Sequence, residues 1–197
     1  MKSLMTLLLS CTIGLAPFIA SAQAPVWEID KDHTNFYFRV THIYSDVIGR
    51  FKDYDGSVVF DPMNPEGSKM SFEIEVKSID TGLRKRDKHL RSEDFLDASE
   101  YPLITFTSSS IEKKDDTTLE LTGTLTIKDV SKQIRIPLSY AGTMDHPLVK
   151  NTEVAGFNGE ITIDRLEYGV GDGKYYEMRV VDKDVTIVFT TEVMRKK

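Results

Sequence analysis

The sequence predicts an all-β protein, an antiparallel β-barrel of roughly eight strands with one or two short helices. Three observations carry this. Apolar residues recur at every second position from Trp27 onward, turn-forming pairs divide these runs at hairpin spacing, and helical spacing is confined to a single region. Period two marks strands with one covered and one wet face. Such strands also build a two-sheet sandwich, but inward positions that combine several Phe with glycines favour a barrel with room for one ligand.

The chain opens with Met1-Lys2 and an apolar run from Leu4 to Ala20 that ends in Ala20-Ser21-Ala22. A short basic start, an apolar stretch and small residues before a cleavage point describe a secretory signal peptide, so residues 1–22 are expected to be removed before Gln23, with cleavage after Ala24 as the near alternative. Pro17 interrupts the run, and a membrane span wants roughly 20 uninterrupted apolar residues. No transmembrane anchor is therefore expected after processing. The only cysteine, Cys11, lies in this segment, so residues 23–197 form one domain whose stability rests on packing rather than on a disulfide.

Within that domain Phe36, Phe38 and Val40 alternate with Tyr37, Arg39 and Thr41, and Met70, Phe72, Ile74 and Val76 alternate with Ser71, Glu73, Glu75 and Lys77. Ile104 and Phe106 belong to a further strand. Leu119, Leu121, Gly123, Leu125 and Ile127 form the next inward row, followed by Ile134, Ile136, Leu138 and Tyr140, then Ala155, Phe157, Gly159, Ile161 and Ile163. Val185, Ile187, Phe189 and Thr191 close the series. Turns are expected at Asp55-Gly56, Asp61-Pro62, Asn64-Pro65, Asp115-Asp116, Lys128-Asp129 and Asp172-Gly173. Long straight side chains from Leu83 to Arg91, after a capping Asp80-Thr81-Gly82, predict a short helix. Ser92, ahead of Glu93 and Asp94, offers a second helix start.

The formal charge is −6, counting Lys2, and so argues against a nucleic-acid partner. Motifs for catalysis are missing from the sequence. It has no Gly-x-Ser-x-Gly elbow, no phosphate-cradling glycine loop, and no thiol in the mature chain. Its four histidines, His33, His42, His89 and His146, lack metal-ligand spacing. His42 shares the inward face of Phe36, Phe38 and Val40, and either meets a neighbour at the rim or donates to the polar end of a ligand. Tyr140 carries the same ambiguity. The basic run Arg84, Lys85, Arg86, Lys88 and Arg91 reads as a solvated face, with Asp87 pairing locally.

Across its mature length the chain resembles the YceI-like family of polyisoprenoid-binding periplasmic proteins. The resemblance is carried by Trp27-Glu28-Ile29-Asp30, His33, Phe36-x-Phe38-x-Val40-x-His42, Val47-x-Gly49-Arg50-Phe51 and Ser78-Ile79-Asp80-Thr81. It continues in Arg86-Asp87-x-His89-Leu90, Asp94-Phe95-Leu96-Asp97, Tyr101-Pro102, Gly123-x-Leu125-Thr126-Ile127, Gly156-Phe157, Arg165-x-x-Tyr168-Gly169 and Val185-x-Ile187. Lys128-Asp129-Val130 and the stretch from Tyr175 to Asp182 depart from the family pattern. The resemblance implies an extended lipocalin-like barrel that binds, transports or sequesters a long isoprenoid, such as an isoprenoid quinone, or a similar amphiphilic lipid. It also implies a periplasmic or secreted location and brings no catalytic residue, and no metal or cofactor is expected; a closed barrel has few exposed edges, so a monomer or a modest homodimer is expected, the resemblance leaning to the dimer. Alternation assigns the lipid-contacting positions to Phe36, Phe38, Val40, His42, Phe72, Ile74, Phe106, Leu125, Ile136, Tyr140, Phe157, Ile187 and Phe189. An enzyme acting on a lipid-linked substrate within the cavity, and a solid β-domain for protein contacts, are the alternative readings.

Overall fold

The computed structural model describes residues 24–197, so the expected leader lies outside the described residues. In chain order the elements are β1 (Val26–Ile29), β2 (Asn35–His42), β3 (Ser45–Phe51), β4 (Tyr54–Val59), β5 (Lys69–Glu75), β6 (Ile79–Asp80), α1 (Arg84–Leu90), β7 (Leu103–Lys113), β8 (Thr118–Ile127), β9 (Val130–Asp145), β10 (Thr152–Asp164), α2 (Lys174–Glu177) and β11 (Val181–Lys196).

All sheet pairings are antiparallel, and the order β1-β4-β5-β7-β8-β9-β10-β11 closes on itself through β1 and β11, giving an eight-stranded barrel. The sixteen-residue β11 makes closure possible. It pairs with β10 along most of its length, and its other edge meets β2 from Val181 to Thr190 and then β1 at Val193 and Met194. Strands β2 and β3 form a hairpin that continues into β1 and β4, so these four act as two long, bent strands. Strand β6 prolongs β5 in the same way after one 3-10 turn at Val76–Ser78.

The seam between β9 and β10 is incomplete. Its ladder runs from the Glu153–Asp145 pair to the Gly159–Leu138 pair, beyond which β9 pairs only with β8 and β10 only with β11. An ion pair, Lys132 Nζ to Glu167 Oε2 at 2.5 Å, spans the separated ends.

Three local expectations are corrected. Asp55-Gly56 lies inside β4 rather than in a turn. There Gly56 lets the Ser71 carbonyl and the Phe72 ring come close to the backbone. The β2–β3 hairpin turns instead at Ile43, in the left-handed region at φ 57°, with no glycine to announce it. Ser92 starts no helix, because its hydroxyl donates back to the His89 carbonyl (2.8 Å) and closes a run of turns. The second helix is α2. At α1 no side chain of the preceding loop caps the N-terminus. Asp87 within the helix reaches back instead, accepting from Thr81 N–H (2.9 Å) and Thr81 Oγ1 (2.5 Å).

Candidate functional site

The inward stripe of the barrel is apolar throughout, but it is not packed to the same density along the axis. At one end Trp27, Phe60, Ile111, Leu138, Phe157 and Val193 are almost wholly buried. Trp27 Nε1 donates to the Phe60 carbonyl (2.9 Å), and the rings of Phe60, Phe157 and Tyr140 meet with centroids 4.8–5.5 Å apart. This end is a solid plug. Outside it the Arg195 guanidinium sits 4.7 Å from the Trp27 ring.

Toward the other end three cavities follow one another. The deepest, about 50 Å³, is lined by residues that include Phe36, Phe72, Ile74, Phe106, Leu125, Ile136 and Phe189. It shares Ile104 and Ile187 with a middle cavity of about 110 Å³. The middle cavity shares Phe38, Val40, Leu90, Phe95 and Val181 with an outer one of about 390 Å³, which also touches His42, Lys85, Arg86, His89 and Tyr175. The three adjoin through these shared lining residues, and the series runs from a small apolar chamber at depth to a wider one at a polar rim, a segmented tunnel. The outer chamber alone is within the roughly 300–1,000 Å³ range of small-molecule sites.

A lid covers the wide end, and three tethers fix it. Arg86 donates Nε to Thr81 Oγ1 and Nη2 to the Thr81 carbonyl, both at 2.7 Å, which with Asp87 holds α1 to the end of β6. Arg91 Nη1 donates to the Lys77 carbonyl (3.1 Å). Arg165, 5% exposed, donates to the carbonyls of Val170 (2.6 Å), Asp182 (2.8 Å) and Val181 (3.3 Å), drawing the α2 loop onto the barrel. Its guanidinium lies 5.9 Å from the Phe95 ring, and burial pulls its pKa below the ordinary arginine value. Sequence reasoning assigned Arg165 no role, although the Arg-x-x-Tyr-Gly block holds both its tether and the left-handed Gly169 at φ 65°. Between the tethers Phe95 stacks on Tyr175 at 5.8 Å, and the His89 ring stands edge-on to Phe95 at 4.9 Å while Nε2 donates to Asp94 Oδ2 at 3.0 Å.

The structure places every sequence-assigned contact residue on the tunnel wall except Tyr140 and Phe157, which belong to the plug. The Tyr140 hydroxyl is bonded to Thr143 Oγ1 at 2.6 Å and does not face the tunnel cavities. A larger concavity, about 790 Å³, lies against α1 and holds Lys52, Lys77, Arg84, Lys85, Lys88 and Arg91. Asp53, Asp80 and Asp87 share it, and Lys52 pairs with Asp80 at 2.6 Å, so it is an open groove, basic on balance and only partly compensated. Asp30, His33 and Glu192 are the one group of described residues close enough to hold a metal ion. Their arrangement follows from the turn between β1 and β2, in which Asp30 accepts from His33 Nδ1 (2.8 Å) and from Asp32 N–H (3.0 Å). Among the described residues no helix is long and apolar enough to cross a membrane.

A family model described as a YceI-like domain matches residues 27–193. Protein YceI of Escherichia coli O17:K52:H18 is 36% identical over 194 residues, covering 96% of this chain and 98% of that protein. The crystal structure of Burkholderia cenocepacia BcnA has a TM-score of 0.75 at 26% identity, over 84% of this chain and 99% of that one. A polyisoprenoid binding domain from Saccharophagus degradans shares the fold at a TM-score of 0.63 and 14% identity, over 86% of this chain and 98% of that one. With its barrel, its lidded tunnel and a family match from Trp27 to Val193, the chain belongs to the YceI-like family.

Proposed function

We propose that this protein is a carrier that binds a long isoprenoid or similar amphiphilic lipid in the tunnel, apolar chain inward and polar end beneath the lid. The observation that carries this reading is the alignment of three adjoining chambers, apolar at depth and edged at the mouth by His42, Lys85, Arg86 and His89. Each methylene withdrawn from water contributes about 0.8 kcal/mol, so a long chain gathers affinity without directional contacts. Orientation then falls to the few polar groups at the rim. The walls hold no serine, cysteine or carboxylate among the described residues, and this favours carriage over turnover. The Saccharophagus degradans domain, alike in fold, is described as binding a polyisoprenoid. Export by residues 1–22 would put the carrier in the cell envelope, and we propose a homodimer there.

Organic extraction and mass spectrometry of the native protein, with refolded protein offered isoprenoid quinones or polyprenols, test the reading. Retention of a long-chain lipid near one per chain is expected. Repeated preparations that carry none and accept none would sink it.

A further inference from the structure

Four glycines interrupt the inward apolar rows, and each has a phenylalanine ring laid over it. Phe38 stands opposite Gly49 across β2–β3, Phe72 opposite Gly56 across β4–β5, and Phe189 opposite Gly159 across β10–β11. Phe106 leans along β7 onto Gly123, whose direct partner is Ser108. At each glycine an added Cβ would fall within 3.0 Å of the ring, closer than real side-chain carbons approach. The rings therefore occupy the space where an opposing side chain would be. All four line the tunnel cavities, and the rings of Phe72 and Phe189 also meet that of Phe36, with centroids 5.3 and 6.4 Å apart.

The four pairs are of two kinds. At Gly56 and Gly123 the added Cβ would also meet backbone, the carbonyls of Ser71 and Thr107, so the close approach of two strands requires glycine there. At Gly159 the nearest atoms all belong to the Phe189 ring, and at Gly49 they are the Phe38 ring and the Thr81 methyl. At these two positions the first obstacle to a side chain is the ring rather than backbone.

We propose that Gly159–Phe189 and Gly49–Phe38 determine which lipids the tunnel accepts, an assignment that rests on the carrier reading above. Phe189, held against Gly159, leaves the deepest chamber free and sets the longest chain admitted. Phe38, held against Gly49, keeps the passage between the outer and middle chambers open. A methyl group at position 159 displaces the Phe189 ring into a chamber of about 50 Å³, which has no room for both a phenyl ring and a lipid chain. A methyl group at position 49 swings the Phe38 ring into the passage used by chains of every length. If the rings merely shield backbone, as aromatic side chains do over strand glycines, such changes alter stability alone.

The test uses the full mature chain and a graded series of isoprenoid quinones that differ in side-chain length, with retention read by extraction and mass spectrometry and Kd by competition. Gly159→Ala should lower the length cut-off, weakening the longest quinones by about tenfold for every two methylenes excluded and leaving shorter ones unchanged. Phe189→Leu should raise the cut-off, and Gly159→Ala combined with Phe189→Leu should restore it. Gly49→Ala should weaken all lengths together. A wild-type cut-off that does not move in Gly159→Ala, with Tm altered, overturns the assignment while leaving the carrier reading intact. Wild-type protein that binds no quinone of any length overturns both. If Gly159→Ala does not fold, Phe189→Leu decides by itself, since an unmoved cut-off there is equally fatal.

Discussion

The plug and the tunnel are built by the same strands from the same kinds of residue, yet one is solid and the other hollow. At the plug, large residues meet large residues. Trp27, Phe60, Tyr140 and Phe157 interlock, and Leu138 and Val193 fill the gaps. In the tunnel, aromatic residues sit over glycines, so volume that a second side chain would take is vacated and the ring covers it. The difference teaches that pairing across strands, rather than overall hydrophobicity, decides whether a barrel of this size is filled. Rings meet rings in both halves, as Phe36 does Phe72 at 5.3 Å in the tunnel, but only in the tunnel do glycines opposite them leave volume unfilled.

The comparison breaks most visibly if stability is spread evenly. Phe60→Ala in the plug should cost about 3–5 kcal/mol, as for a large aromatic lost from a packed core. Val40→Ala on the half-buried tunnel wall should cost about 1 kcal/mol. Urea denaturation of both variants checks this, and equal losses would mean that the two ends are not packed differently. Tyr140→Phe is a finer probe. It deletes a hydroxyl bonded only to Thr143 and should cost about 1 kcal/mol without moving the lipid length profile, whereas a changed profile would return Tyr140 to the binding surface.

The smallest effect concerns the turn that joins the two regions. His33 is lifted above its ordinary 6.5 by its hydrogen bond and charge attraction to Asp30. Burial alone would raise Asp30, but its bonds from His33 and from Asp32 N–H prevail and hold it below 3.8. The His33 contribution is therefore complete below pH 6.5 and fades as pH rises through the raised value. That of Asp30 is present above pH 3.8 and fades as pH falls through the lowered one. His33→Gln should flatten the stability profile above pH 6.5, and a slope there identical to that of the wild type would show that the pair does not matter.

Alternation made the barrel legible because it reports which face a residue occupies. Strands β5, β8, β10 and β11 follow from it directly. It does not report depth along the axis, and Phe157 carries the same inward signal as Phe36 although one lies in the plug and the other on the tunnel wall. Gly56 looked like a turn because glycine permits both a turn and a close strand approach, and only the partner strand distinguishes them. Ile43 was invisible for the opposite reason, since nothing local marks a β-branched residue held at positive φ. Lid and tethers were not legible: Arg86 and Arg91 read as part of a solvated face and Arg165 had no role, because their partners are carbonyls that only the fold assembles.

The unfinished seam between β9 and β10 gives the barrel two kinds of closure. In a fully laced hoop, circumference is fixed by strand number and stagger, and any dilation must tear ladder hydrogen bonds. Below the Gly159–Leu138 pair no ladder joins these two strands, and the ties across the gap are side-chain contacts, the surface ion pair Lys132–Glu167, of a kind worth about 0–1 kcal/mol, and the Lys128 Nζ donation to the Gly169 carbonyl at 3.0 Å. On this side the hollow half is thus closed by side chains, whereas the plug half is closed by a backbone ladder.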